Sequence, residues 1–228
     1  MMRSQLQSLI EKYRFQSLLV FLLLLLAVIP FLEINALTDI VMTILFLVAL
    51  LAFTERRNLL FLCVVLVLIS RGSSWGAYWT GNETLIVISK LLNVAFILIV
   101  SGFILTIVFR SREITLETLA GAICVYLFIG LFWADVYALV EIANPGSFSL
   151  LKDGAQETMN IVAHSTSQFN YFSFVTLSTL GYGDITPQTR PAQSLAAMEA
   201  ILGQLFLAVL IARLVGQVVV NREEKDKK

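Results

Sequence analysis

Between two long apolar runs lies the stretch TLSTLGYGDITP, Thr176 to Pro187. Two glycines, an aromatic and an acid stand among hydroxyl residues, a combination unlike a lipid-facing helix or a soluble active site. The chemistry such residues support is coordination of a cation by oxygen. A hydrated cation crosses lipid poorly, and rings of backbone carbonyls can replace its water. Those carbonyls must point to one axis, which needs backbone angles disfavoured for ordinary residues. Gly181 and Gly183 supply them, because glycine reaches positive φ without a Cβ penalty. Thr179 adds a hydroxyl oxygen at the inner end. Tyr182 is large enough to pack outward and brace the loop. Asp184 belongs at the outer mouth, where an acid anchors the loop and attracts cations.

The rest of the chain must hold such a loop inside a membrane. Of 228 residues, 58% are hydrophobic and 14% charged, far from the soluble average. A spanning helix needs about 20 mostly apolar residues. The sequence predicts six: Phe15 to Leu32, Ala36 to Phe53, Asn58 to Trp79, Thr84 to Phe109, Ile114 to Val140 and Ala192 to Val220. The third is the weakest, since Arg71, Gly72, Ser73 and Ser74 interrupt it. With the N-terminus in the cytoplasm, the inner ends carry Arg3, Lys12, Arg14, Arg56, Arg57, Arg110, Arg112, Arg222, Lys225, Lys227 and Lys228. The outer connections carry only Arg71, Lys152 and Arg190, as the positive-inside rule requires. Both termini are thus expected in the cytoplasm of a multi-pass cell-membrane protein. A long polar outer connection, Glu141 to Ser167, precedes a short apolar stretch, Gln168 to Leu177, too short to cross. The latter reads as a re-entrant helix with N-caps near Ser165 to Ser167. Its C-terminus points inward, carrying roughly half an elementary negative charge. Non-helical backbone at membrane depth is tolerated only against protein or a water-filled cavity. The loop with Thr176 and Ser178 should therefore line a cavity. The expected fold is an all-α membrane protein with six transmembrane helices plus this re-entrant element.

The stretch TLGYGD, with a short helix before it and an apolar span after it, resembles the signature of the potassium channel family. The likeness covers roughly Ile114 to Val220. It implies potassium coordination by oxygens of Thr179, Leu180, Gly181 and Tyr182, with Gly183 and Asp184 completing the mouth. Leu180 stands where valine is commoner and Ser178 where threonine is common; neither change removes a backbone carbonyl. One chain supplies one filter strand and such a filter needs four, so the resemblance implies a homotetramer in lipid. The implied division is a four-span domain over 1–110, a pore domain over 111–220 and a charged cytoplasmic tail over 221–228. The resemblance implies K+ as the permeant ion, with no cofactor. By the same resemblance Gly203 marks the bend of the inner helix, the alternative being close helix packing. Gln204, Leu207, Ile211 and Val215 continue at helical spacing towards an inner gate that could close by dewetting.

Two acids lie inside predicted spans, Asp135 and Glu199, and intramembrane acids point to function. Glu199 is expected to touch the back of the pore helix at Thr176, or to meet Asp135, the alternative being that each acid finds water near the outer surface. Arg213 either snorkels or pairs with Glu113 or Glu117. Span four holds only Lys90, expected to anchor at the outer interface, and lacks the regularly spaced arginines of a voltage sensor. Cys63 and Cys124 sit in apolar runs as reduced packing residues. His164 reads as a solvated loop histidine, and Asn82 to Thr84 matches a glycosylation sequon. The zero net charge argues against nucleic acid as a partner, and no nucleophile, base and metal set converges for an enzyme. The competing readings are a poorly selective cation channel and a receptor or adaptor with a pore-like tail. The gating stimulus is not encoded: after Val220 only NREEKDKK follows, which leaves lipid, tension, pH or a separate regulatory partner.

Overall fold

Runs of Leu, Ile, Val and Phe in an apolar medium must satisfy their own N–H and C=O groups, and the helix does so within one segment. The computed structural model describes residues 14–24, 26–27, 35–50, 57–111, 115–149 and 158–226. Among these it is helical, with one isolated β-type bridge between Phe148 and Pro187. The helices are α1 (Arg14–Leu24), α2 (Asn35–Leu50), α3 (Arg57–Thr80), α4 (Glu83–Arg110), α5 (Leu116–Ala143), α6 (Thr158–Leu177) and α7 (Arg190–Asp226). Four are long and apolar enough to cross a membrane: α3, α4, α5 and the Arg190–Gly216 part of α7. The first two predicted spans coincide in part with α1 and α2. Apart from residues 26–27, their remainders, and Arg3, Lys12, Arg56, Arg112, Lys152, Lys227 and Lys228, lie outside the described residues.

Tight connections order the helices. Gly81 at φ 66° ends α3, and Asn82 caps α4 by accepting the Thr84 N–H at 2.9 Å; the sequon asparagine is thus used as a cap. Thr115 and Thr118 form a reciprocal capping box at the start of α5. The connector from Ser111 to Thr115 is so short that α4 and α5 of one chain must lie side by side. Gly121 allows it: a Cβ there would lie 3.2 Å from Phe15 and Val108 side-chain atoms and 3.4 Å from Ile104. Phe15, Leu18 and Leu22 of α1 are buried in the same cluster. The Glu117 carboxylate accepts the Phe15 and Gln16 N–H groups at 2.6 and 3.3 Å, satisfying donors of the first described turn of α1.

Three expectations change. First, α3 is continuous, and Arg71 is buried within it rather than placed in an outer connection. Partners on α4 and α2 make this tolerable. Arg71 Nη2 donates to Asn93 Oδ1 at 2.7 Å and to Ser70 Oγ at 3.1 Å, and the guanidinium lies 5.1 Å from the Phe46 ring centroid. Second, Lys90 does not anchor at an interface. It is buried and pairs with Asp135 of α5 at 2.6 Å, so Asp135 meets Lys90 and not Glu199. Third, α6 begins at Thr158. Ser165 to Ser167 therefore lie inside it instead of capping it, and His164 lies on a helix.

Breaking a buried ion pair leaves an uncompensated charge and costs about 3–5 kcal/mol. Asp135→Asn is expected to lower the thermal unfolding midpoint of the purified protein in micelles. The double variant Lys90→Met/Asp135→Leu should recover most of the loss. A single variant that melts like the wild type would place the pair in solvent.

Candidate functional site

The site is built on the last turn of α6. A helix leaves its final carbonyls without partners, and here the following loop supplies them. Ser178 N–H donates to Phe174 O at 3.1 Å, Thr179 N–H to Thr176 O at 2.9 Å, and the N–H groups of Leu180 and Gly181 to Val175 O at 3.0 and 3.2 Å. The Ser178 hydroxyl adds a bond to Phe174 O at 2.7 Å. The loop's donors are thus turned back into the helix end. Its carbonyls from Thr179 to Tyr182 receive no hydrogen bond among the described residues.

The backbone then alternates. Thr179, Gly181 and Gly183 have φ of 59°, 57° and 78°, while Leu180 and Tyr182 stay at negative φ. Alternating handedness puts successive N–H groups on one side of a chain and the carbonyls on the other. The glycines accept this freely, with nothing within 4 Å of a Cβ built on either. Thr179 does not: it is the non-glycine residue at positive φ among the described residues, at a cost of roughly 1–2 kcal/mol. The sequence reading assigned the unusual angles to the glycines alone. The cue it missed is the every-second-residue spacing itself, which begins at Thr179. The Thr179 hydroxyl donates to Ser178 O at 2.7 Å, and Gln204 Nε2 approaches its Oγ1 at 3.5 Å.

Within this chain the loop is braced by residues other than Tyr182. Tyr182 is 67% exposed on this chain and packs against none of its helices closely enough to bury it. The brace within the chain is Tyr171, whose hydroxyl donates to Asp184 Oδ2 at 2.6 Å while Ile185 N–H donates to Oδ1 at 3.0 Å. Beyond it, Phe148 and Pro187 pair across the loops that precede and follow α6, with Ser149 N–H to Thr186 O at 2.9 Å and Gln188 N–H to Ser147 O at 2.7 Å. Glu141 fixes that turn by accepting the Gly146 and Phe148 N–H groups at 2.7 and 3.0 Å. Phe148 is buried among Tyr137, Phe169 and Phe172.

Behind the loop α6 sits on two glycines. A Cβ at Gly130 of α5 would collide with the Phe174 ring, and one at Gly203 of α7 would lie 2.5 Å from the Leu177 carbonyl oxygen. Gly203 is therefore a point of close packing within a helix that runs unbroken from Arg190 to Asp226. Glu199, fully buried, meets Ser173 of α6 and not Thr176: Ser173 Oγ lies 2.5 Å from Oε1, and the Tyr137 hydroxyl donates to Oε2 at 2.5 Å. Further along α7, Gln204, Ile211 and Val215 are exposed on this chain and Leu207 is half-buried at the edge of that face. Arg213 does not pair with Glu117. It donates to Ser111 O at 2.9 Å, 4.8 Å from the Phe109 ring centroid; Glu117 is engaged at α1, and Glu113 lies outside the described residues.

The comparisons fall on this part of the molecule. Residues 113–220 match the family model described as Ion channel. A 53-residue stretch is 43% identical to "Two-pore potassium channel 4" of Arabidopsis thaliana, covering 23% of this chain and 19% of that protein. The match thus spans about a fifth of the length of that relative. No solved structure matches. The chain is a multi-pass membrane protein with an ion-channel-like segment from the α4–α5 connector through most of α7.

The Tyr171 bond holds the Asp184 carboxyl below the usual carboxylate range, and the same bond pushes the tyrosine up to about 12. A lowered folded value means stabilisation present above the ordinary carboxylate range and lost as pH falls through the folded value. A raised tyrosine value sets the alkaline limit, where the bond is lost as pH passes that value. Tyr171→Phe should therefore shift acid destabilisation of the purified protein to higher pH, towards the ordinary value of about 3.9. An unchanged acid profile of the unfolding midpoint would remove Tyr171 from the support of Asp184.

Proposed function

We propose that the chain is the subunit of a potassium-selective channel that conducts K+ passively through a pore shared by four copies. The observation that carries this reading is the alternating backbone from Thr179 to Gly183, with the N–H groups of Thr179, Leu180 and Gly181 tied into α6 and the carbonyls of Thr179 to Tyr182 unengaged. A dehydrated cation needs a ring of such carbonyls, and each chain supplies one strand. The relative whose printed name is a potassium channel supports the choice of ion. On this reading six helices cross the membrane, α6 enters from outside without crossing, and both termini are cytoplasmic. Thr179, Leu180, Gly181 and Tyr182 line the filter, with Gly183 and Asp184 at its mouth. Thr176 and Ser178 support its inner end, and Gln204, Leu207, Ile211 and Val215 line the path to the inner gate. No bound cofactor is needed, and lipid is the solvent of the assembly.

The test is ion flux from liposomes holding the purified protein. Flux driven by K+ with Na+ excluded is expected; equal flux of both ions would favour a poorly selective cation channel, and no flux a receptor or adaptor. Gly181→Ala should abolish selective conduction, since a Cβ at positive φ costs roughly 1–2 kcal/mol in each subunit. Potassium selectivity retained in that variant would remove Gly181 from the filter.

Voltage dependence should be weak. Steep gating takes about three to four moving charges per subunit. On α4, Lys90 is bound to Asp135, and Arg110 lies at the helix end. A conductance–voltage curve in bilayers checks this. A steep sigmoid that flattens in Lys90→Gln would make α4 a sensor.

A further inference from the structure

Conduction through carbonyl rings makes no use of Glu199, yet this carboxyl joins three helices behind the loop. It is 0% exposed. Its two partners are Tyr137 of α5 and Ser173 of α6, both neutral hydroxyls. Of the other titratable groups nearby, Tyr126 of α5 points to the Leu177 carbonyl at 3.4 Å. The Lys90–Asp135 pair lies between α4 and α5, and Tyr171 is engaged with Asp184 at the loop.

The hydrogens can be counted. Ser173 has a single hydroxyl hydrogen. Its Oγ lies 2.7 Å from the Gly130 carbonyl oxygen, which can only accept, so that hydrogen is used there. The phenol hydrogen of Tyr137 goes to Glu199 Oε2. The contact of 2.5 Å between Ser173 Oγ and Glu199 Oε1 then has a hydrogen only if Glu199 brings it. An ionised Glu199 would force Ser173 to share one hydrogen between two acceptors. It would also bury a charge beside neutral partners, which is costly.

We infer that Glu199 is held as the neutral carboxylic acid and that its proton is a positioning element, locking the inner helix α7 to the pore helix α6 behind the filter. The bonds run in one direction: Tyr137 O–H to Glu199 Oε2, Glu199 O–H to Ser173 Oγ, Ser173 O–H to Gly130 O. Each hydroxyl hydrogen has one acceptor, and α5, α6 and α7 are joined at a point four residues before Gly203 and six before Thr179. The link to ion selectivity rests on the proposed function; the placement of the proton does not.

Infrared spectra of the purified protein at neutral pH, compared with Glu199→Gln, test the proton directly. The expected result is a protonated-carboxyl band in the wild type that the variant lacks; its absence would overturn the assignment, whatever the flux. Glutamine reproduces the pattern, its amide N–H donating to Ser173 and its carbonyl accepting from Tyr137. Glu199→Gln should therefore keep the wild-type unfolding midpoint, and its K+ flux within about a factor of two. Glu199→Ala and Ser173→Ala should lower the midpoint and reduce K+ preference over Na+ by about tenfold, in the range that an unsatisfied buried partner costs. Alkaline medium should lower wild-type flux and spare Glu199→Gln. A glutamine variant that melts or loses selectivity like the alanine variant would show that the charge is needed, and would overturn the inference. A band without flux in any variant would sustain the proton and remove the channel reading instead.

Discussion

The geometry of the loop from Ser178 to Asp184 depends on the last turn of α6. Phe174, Val175 and Thr176 offer the carbonyls that receive the loop's N–H groups, so any shift of that turn is passed to the strand that follows. The turn is fixed from two sides by missing side chains. Gly130 admits the Phe174 ring against α5, and Gly203 admits the Leu177 carbonyl against α7. In a membrane, where lipid tails offer helices no hydrophobic drive to associate, close packing at small residues and buried hydrogen bonds must supply the register. Both occur here on one helix end.

The same shortage of water explains the charged groups of the N-terminal half. Lys90 and Asp135 neutralise each other across α4 and α5. Arg71 is held by Asn93, Ser70 and the Phe46 ring. These contacts tie α2, α3, α4 and α5 of one chain together. Two residues beyond Asp135, Tyr137 reaches Glu199. One segment of α5 therefore holds α4 on one side and α7 on the other. Further along α7, Arg213 meets the α4 carboxyl end through Ser111 O, where a cation is favoured by the helix dipole.

What was legible in the sequence was local. The glycine spacing in TLGYGD states the backbone it needs, and apolar runs state their helices. What was not legible depended on partners far along the chain. Arg71 looked like a break in α3 because the residue that accommodates it, Asn93, stands on α4. Lys90 looked interfacial because Asp135 is 45 positions away. Glu199 was visible as an intramembrane acid, but its partner on α6 is decided by which turn faces α7, and a mismatch of one turn separates Ser173 from the expected Thr176. The early start of α6 was hidden because Thr158 to Ser167 is polar, and hydropathy reports burial more faithfully than helicity. The Tyr171–Asp184 bond joins residues 13 apart and needs the loop to double back beside its own helix.

Gly203 shows why a residue can suit two readings at once. A glycine in an inner helix permits bending, because it lowers the cost of leaving helical angles. It also permits close approach, because it has no Cβ. The distances favour close approach here: the space a Cβ would take lies 2.5 Å from a backbone oxygen, and backbone of a capped helix end cannot swing aside as a flexible side chain can. Bending α7 at Gly203 would thus move the surface on which Leu177 rests, two residues before Thr179. Movement of α7 and the shape of the loop after α6 share one contact, and the Glu199 junction lies one turn away on the same face of α7. If the chain is the channel subunit proposed above, its gate and filter are mechanically joined at that point rather than separate devices.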